Sequence, residues 1–156
     1  MKCAMIRNGS VRLALIWIFL SVIRSGSPTI TAAAQFPPTI AITEGKTSHG
    51  FPYMFGGVSS DERDAMEERA KGYNLKLVFA ERRGAFVSGV SVTVATQKGA
   101  EIASLKTEGP WLYLQLPAGN YSIDARLRGA MKQIKNLTVR KEKRVQHVLV
   151  WELGEP

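Results

Sequence analysis

From Tyr73 to Trp151 the apolar residues recur with a period of two, interrupted by a turn signal about every ten residues. A period of two puts successive side chains on opposite faces of an extended chain and does not fit a helix. Leu75, Leu77 and Phe79 alternate. Gly84 and Gly89 precede Val90, Val92 and Val94, and a turn over 97–100 leads into a weaker strand over 101–107. Gly109-Pro110 precedes a strand over 111–116, and Pro117-Ala-Gly-Asn120 turns into Tyr121, Ile123, Ala125 and Leu127. Gly129 turns into a strand over 131–139, and a charged turn over 140–143 leads to the last strand, 145–151. Seven short strands so spaced predict an all-β sandwich over 73–152. No long helical spacer separates them, so the sheets are expected to be antiparallel.

Upstream the pattern changes. The stretch 59–72 reads as one short helix. Ser59 and Glu62 form a capping-box pair, Asp61, Glu62 and Asp64 match the positive end of the helix dipole, and Arg69 and Lys71 match the other end. Gly72 suits the left-handed residue that ends a helix. Its apolar stripe is thin, Met66 and Ala70 followed by Tyr73, enough to pack on a surface but not to be a core. The stretch 35–58 is a Pro/Gly-rich arm in which Phe51, Tyr53 and Phe55 alternate, fitting one short strand or a strip laid on the domain.

Residues 1–34 read as a signal peptide: Lys2, Arg7 and Arg12, then an apolar run over 13–23, a break at Ser25-Gly-Ser-Pro28, and an A-x-A pattern at Ala32-Ala-Ala34. The expected localisation is periplasmic or secreted, with cleavage after Ala34. The run is short of the ~20 residues a spanning helix needs, though the long stretch from Ile23 to Ala34 leaves a membrane anchor through 13–23 as an alternative. Cys3 is the only cysteine and precedes the apolar run, so the mature chain carries no disulfide, thiolate ligand or Cys nucleophile. The formal charge of +8 is uneven: four of the basic residues lie in the first 34, and from Tyr73 onward 13 basic residues face 7 acidic ones.

The segment Gly109-Pro-Trp-Leu-Tyr-Leu-Gln-Leu-Pro-Ala-Gly-Asn-Tyr-Ser-Ile123 resembles the G-x-aromatic-x-aromatic-x-x-L-P-x-G-x-Y-x-V signature of carboxypeptidase regulatory-like domains, and Gly89-Val-Ser-Val-Thr-Val94 resembles an earlier strand of the same family. Thr107-Glu108 stands where the family usually has T-D. The resemblance covers roughly Tyr73 to Trp151. It implies a transthyretin-like, Ig-like sandwich of seven antiparallel strands in Greek-key order, in an exported bacterial protein. It implies no function, because one fold hosts many. Read physically, Pro117 fixes the turn's first φ, Gly119 tolerates a positive one, and the Tyr121 hydroxyl can reach backbone at the sandwich edge. The family pattern turns Trp111 and Tyr113 inward and so leaves Leu112 and Leu114 outward. Two adjacent leucines call for a cover, with the Met66/Ala70 stripe or the Phe51–Phe55 strip as candidates and a partner-binding patch as the alternative.

The residues give no reason to expect an enzyme. His49 and His147 lack any zinc-ligand spacing, and His147, between Val145 and Leu149, reads as a core or edge imidazole. The chain ends in Trp151-Glu-Leu-Gly-Glu-Pro156, without the Y-R-G-S tail of the transthyretin-like hydroxyisourate hydrolases, and it has no H-x-x-E motif of a zinc carboxypeptidase. Asp61, Glu62, Asp64, Glu67 and Glu68 read as a solvated helix start before they read as catalytic carboxylates. No catalytic residue, metal ligand or cofactor is therefore assigned. The candidate interaction surface is Leu112 and Leu114 with the basic residues Arg126, Arg128, Lys132, Lys135, Arg140, Lys141, Lys143 and Arg144. These basic residues fit either a charged edge that discourages strand pairing or contact with an acidic polymer. The expected role is structural or protein-interaction, with an exported or envelope protein as partner. The alternative is binding of carbohydrate, with Trp111 and Tyr113 as a stacking platform, or of an acidic envelope polymer. Nucleic acid is not expected for an exported chain.

Overall fold

A computed structural model describes residues 41–153. The expected signal peptide and the first residues of the arm lie outside the described residues. The elements run β1 (Thr43–Lys46), β2 (Pro52–Gly56), α1 (Ser60–Arg69), β3 (Leu75–Glu81), β4 (Ser91–Thr96), β5 (Glu101–Lys106), β6 (Trp111–Leu114), β7 (Gly119–Leu127), β8 (Ala130–Val139) and β9 (Val145–Trp151). They form two sheets, ordered β1-β2-β6-β3-β9 and β5-β4-β7-β8. The domain is all-β with one short helix, and the inner faces of both sheets meet in a single core. Leu75, Leu77, Phe79, Leu112 and Leu114 come from one side, and Val92, Val94, Ile123, Ala125 and Leu137 from the other.

Two expectations are corrected here. The arm is not peripheral: its residues supply β1 and β2, and β2 pairs with β6 in the register Tyr53↔Leu114 and Phe55↔Leu112. Seven strands, β3 to β9, lie within 73–152, and the arm adds two more where one short strand or a strip was expected. Nor are the sheets wholly antiparallel, since β3 and β9 run parallel from Leu75↔Val145 to Glu81↔Trp151. The absence of a helical spacer constrains only strands adjacent in sequence. Between β3 and β9 lies the whole second sheet, which serves as the crossover that a parallel pair requires.

The third correction concerns β6. Leu112 and Leu114 are fully buried in the core between the sheets, and Trp111 and Tyr113 face the other way. The register forces this. Leu112 stands opposite Phe55 and Leu77, and Leu114 opposite Leu75, all residues of the inter-sheet core. On the outer face, Met66 of α1 and Ala70, the residue that caps its C-terminus, pack with Met54, Tyr113 and Trp111 in a second, smaller core. The helix stripe does cover a face of β6, but it covers the aromatic one, where wide rings fill the helix–sheet gap. Each leucine so buried contributes about 1.5–3 kcal/mol.

The helix sits where its caps hold it. Ser59 Oγ accepts the Glu62 N–H at 3.1 Å. The reciprocal carboxylate bond falls one residue earlier than in the usual box: Glu62 accepts from Val58 N at 2.8 Å, and also from Ala41 N at 3.2 Å. Gly72, at φ +95°, turns the chain out of the helix into β3. Asn74 then acts as a pin. Its side chain exchanges a bond pair with Leu116 (Nδ2 to the carbonyl at 2.7 Å, Oδ1 from N–H at 2.9 Å) and donates to the Arg140 carbonyl at 3.2 Å. Tyr121 donates to the Pro117 carbonyl at 2.9 Å, closing the corner over the L-P-x-G turn.

Candidate functional site

The helix–sheet seam holds the densest group of charged and aromatic side chains. Lys76 lies on the outer face of β3, between Leu75 and Leu77, and α1 closes over it, leaving its side chain 5% exposed. Its ammonium bonds Glu67 Oε1 at 2.5 Å and sits 3.4 Å from the Trp111 ring centroid and 5.2 Å from that of Tyr113. Arg144, arriving from the β8–β9 loop, donates to Glu67 Oε2 at 2.9 Å and to the Ala70 carbonyl at 2.7 Å, while its guanidinium lies 5.4 Å from the Tyr113 centroid. A cation on the last carbonyls of α1 also suits the helix dipole.

This arrangement sets the titration of the seam. Partial burial pulls the Glu67 carboxyl upward, but the Lys76 bond, the nearby Tyr113 hydroxyl and the charges of Lys76 and Arg144 outweigh it. Glu67 is held below the ordinary carboxylate value. Tyr113 is pushed up, first by burial and then by the Glu67 carboxylate it faces, with Arg144 acting in the opposite sense. Among the described residues its hydroxyl faces the Glu67 carboxylate without a hydrogen bond of normal geometry, and the Trp111 and Trp151 indole N–H groups are buried without a partner.

Lys76 was not among the sequence candidates. Its signal was available only in part: a period-two reading places it on the opposite face from Leu75 and Leu77, but says nothing of the helix that covers that face. Glu67 and Glu62 read as members of a solvated acidic helix start. Instead one is ion-paired and the other is a buried staple between the arm and the helix.

The basic candidates do not come together. Arg126 stands on the outer face of β7, opposite Met131. Arg128 (φ +48°) and Gly129 (φ +84°) form the two-residue turn of the β7–β8 hairpin. Lys132, opposite Ala125, shares the inward face of edge strand β8. Lys135 precedes Asn136, whose positive φ of 56° marks the irregular stretch where the register shifts. Arg140, Lys141 and Lys143 lie exposed at the far end of the hairpin, with Glu142 among them. The eight residue steps from Lys132 to Arg140, with Lys135 between them, put the two ends about 26 Å apart along the strand. With Leu112 and Leu114 inside, the predicted surface divides into two basic ends.

Shallow clefts flank the second of these ends. One, about 320 Å³, is lined by Phe51, Pro52, Gln115, Pro117 and Lys141. Another, about 440 Å³, is lined by Tyr73, Asn74, Lys141, Glu142 and Arg144. Among the described residues no group of three or more His, Cys, Asp or Glu side chains could hold a metal ion. His49 is exposed in the β1–β2 turn, and His147 is half-buried on β9 opposite Leu77. No helix among them is long and apolar enough to cross a membrane. No protein-family model matches the chain, and no curated protein matches it.

Proposed function

We propose that this chain is an exported, non-catalytic β-sandwich module of the carboxypeptidase regulatory-like, Greek-key kind, with a structural or protein-interaction role and an exported or envelope protein as partner. The observation that carries the reading is the use of the buried polar side chains. Thr47, Glu62, Asn74, Lys76 and Thr107 each bond within the fold: to Phe51 N, to Ala41 and Val58 N, to Leu116 and Arg140, to Glu67, and to Val90 O. Catalytic groups are instead gathered at a concave site with their reactive atoms free to meet a substrate. The L-P-x-G-x-Y corner supports the family reading, because its tyrosine and proline serve as a closure device. Export is tested by the intact mass of the protein recovered from fractionated native cells. A mass for 35–156 in the soluble exported fraction is expected. An uncleaved chain in the membrane fraction favours the anchor through 13–23, and one in the cytosol overturns export.

The second reading, binding of an acidic envelope polymer or carbohydrate, is favoured by the clefts beside Tyr73, Lys141 and Arg144. Retention on an acidic polysaccharide that falls steeply with salt, and with Lys141→Gln plus Lys143→Gln, would select it over the first.

A further inference from the structure

Among the described residues the four edge strands of the two sheets are β1, β9, β5 and β8. Three carry the devices that keep an open edge from pairing. β1 is only four residues long and carries Glu44 and Lys46. β5 begins and ends in charge, Glu101 and Lys106, and the pairing beside it shifts register. β8 carries Lys132 on its inward face, Lys135, and its own register shift. β9 has none of these. Its seven residues, Val-Gln-His-Val-Leu-Val-Trp, contain no Lys, Arg, Asp, Glu, Pro or Gly, and it exposes Val148 (55%) and Val150 (41%) on one face.

The hydrogen bonding of β9 settles which backbone groups are open. Val145 N donates to Asn74 O at 2.9 Å, and Trp151 O accepts from Arg82 N at 2.9 Å. In a parallel ladder alternate residues bond the same neighbour, so Val145, His147, Leu149 and Trp151 address β3. Gln146, Val148 and Val150 direct their N–H and C=O groups away from the sheet.

We infer that β9 pairs antiparallel with β9 of a second copy about a twofold axis at Val148. That register sets Val148 against Val148 of the second copy, and Gln146 against Val150 both ways. These are hydrogen-bonded pairs of an antiparallel ladder, in which each pair exchanges two bonds, so the six free groups of each copy are all used. One step further out, the same register sets Arg144 against Glu152. Arg144 already bonds Glu67, and Glu152 already bonds Arg82, so the contact joins charges of alternating sign at both ends. The central residues carry no formal charge to repel, and Val148 meets its own copy beside Val150. Any other register by an even step loses both the Arg144–Glu152 match and two or more bonds, and an odd step misaligns the free groups. A self-complementary patch of this kind is what a closed twofold contact needs. The inference rests on the edge alone and goes beyond the role proposed above.

Sedimentation of the full chain over a concentration series, up to about 1 mM, tests it. The mass is expected to rise from one chain to two and to stop there. Val148→Pro is expected to hold the protein at one chain while leaving its circular dichroism unchanged, because the N–H it removes faces away from β3. Val148→Lys, which sets like charges against each other, should do the same without touching the backbone. In a Cys3→Ser background, Val148→Cys should cross-link two chains on oxidation, since directly opposed residues lie within disulfide reach, and Gln133→Cys should not. A single chain at every concentration, or a dimer unaffected by both Val148 variants and not cross-linked at 148, overturns the inference.

Discussion

The ammonium of Lys76 stands 3.4 Å from the centroid of the Trp111 ring, in a seam closed by α1. A buried charge so placed is offset by its partners, the indole face and the Glu67 carboxylate. The two ends of that ion pair are not equivalent. Lys76 is buried, whereas Glu67 is 44% exposed and keeps Arg144 when Lys76 is lost. Glu67→Ala is therefore expected to cost about 1–3 kcal/mol, because it strands a buried cation. Lys76→Met keeps the apolar stem and should cost less than about 1.5 kcal/mol. In the Lys76→Met background, Glu67→Ala should cost less than it does alone. Urea unfolding followed by tryptophan fluorescence reads all three. Equal losses for the two single variants would show that the seam does not penalise an unpaired lysine.

The same seam limits stability at both ends of the pH scale. Glu67 is depressed in the folded state, so its contribution is fully present above its ordinary value of 4.5 and is lost as pH falls through the folded value. Tyr113 and Tyr73 in the seam, and Tyr121 outside it at the Pro117 corner, are raised, each first by burial. Above their ordinary value of 10 the unfolded chain releases phenolic protons that the folded chain retains, so stability falls as pH rises. Tyr113→Phe removes a buried hydroxyl that, among the described residues, makes no hydrogen bond of normal geometry. It is expected to change stability at pH 7 by less than about 1 kcal/mol and to move the alkaline loss upward. Glu67→Gln should flatten the acid limb. Thermal midpoints measured across pH check both, and an alkaline limb unchanged by Tyr113→Phe would remove Tyr113 from this account.

Much of the sandwich is written in local alternation. Leu75, Leu77 and Phe79, or Tyr121, Ile123, Ala125 and Leu127, carry a buried face that needs no tertiary knowledge to read. The strand Trp111–Leu114 could not be oriented in this way, because Trp, Leu, Tyr and Leu are apolar on both faces. Its facing depends on which side α1 packs against, and that is a tertiary fact. The parallel β3–β9 pair was hidden for the same reason: its partners are distant in sequence. Lys76 reads locally as a solvent-side lysine and becomes a buried one only when Met66 and Ala70 close over its neighbours. The basic residues of the last strands looked contiguous in sequence, but β8 runs the length of its sheet, so the β7–β8 turn and the far end of β8 lie at opposite poles.

The facing of β6 yields a direct comparison. Leu112 is fully buried between Phe55 and Leu77 on the flanking strands. Leu112→Ala is expected to cost about 2–5 kcal/mol, as large-to-small changes in a packed core do. Arg126→Ala and Lys141→Ala, both at exposed positions, should stay within about 0.5 kcal/mol. Chemical denaturation ranks the three. A small loss for Leu112→Ala would mean that the leucine face of β6 is not the core face.

Two glycines should fail in different ways. At Gly109 an added Cβ would lie 2.2 Å from the Gly56 carbonyl oxygen, where the chain entering β6 crosses the end of β2. The obstacle is backbone, which cannot swing aside. Gly109→Ala is expected to cost about 1–3 kcal/mol, the range for overpacking, and Asn at that position should be worse. At Gly99, in the β4–β5 turn, an added Cβ meets nothing within 4 Å, but φ is +84°. There the cost is conformational, about 1–2 kcal/mol for alanine, and Asn, which enters the left-handed region more readily, should recover part of it. Thermal melts of the four variants separate the mechanisms: recovery by Asn at 99 with none at 109 is the expected pattern. The reverse would mean that the β2–β6 crossing has room to open.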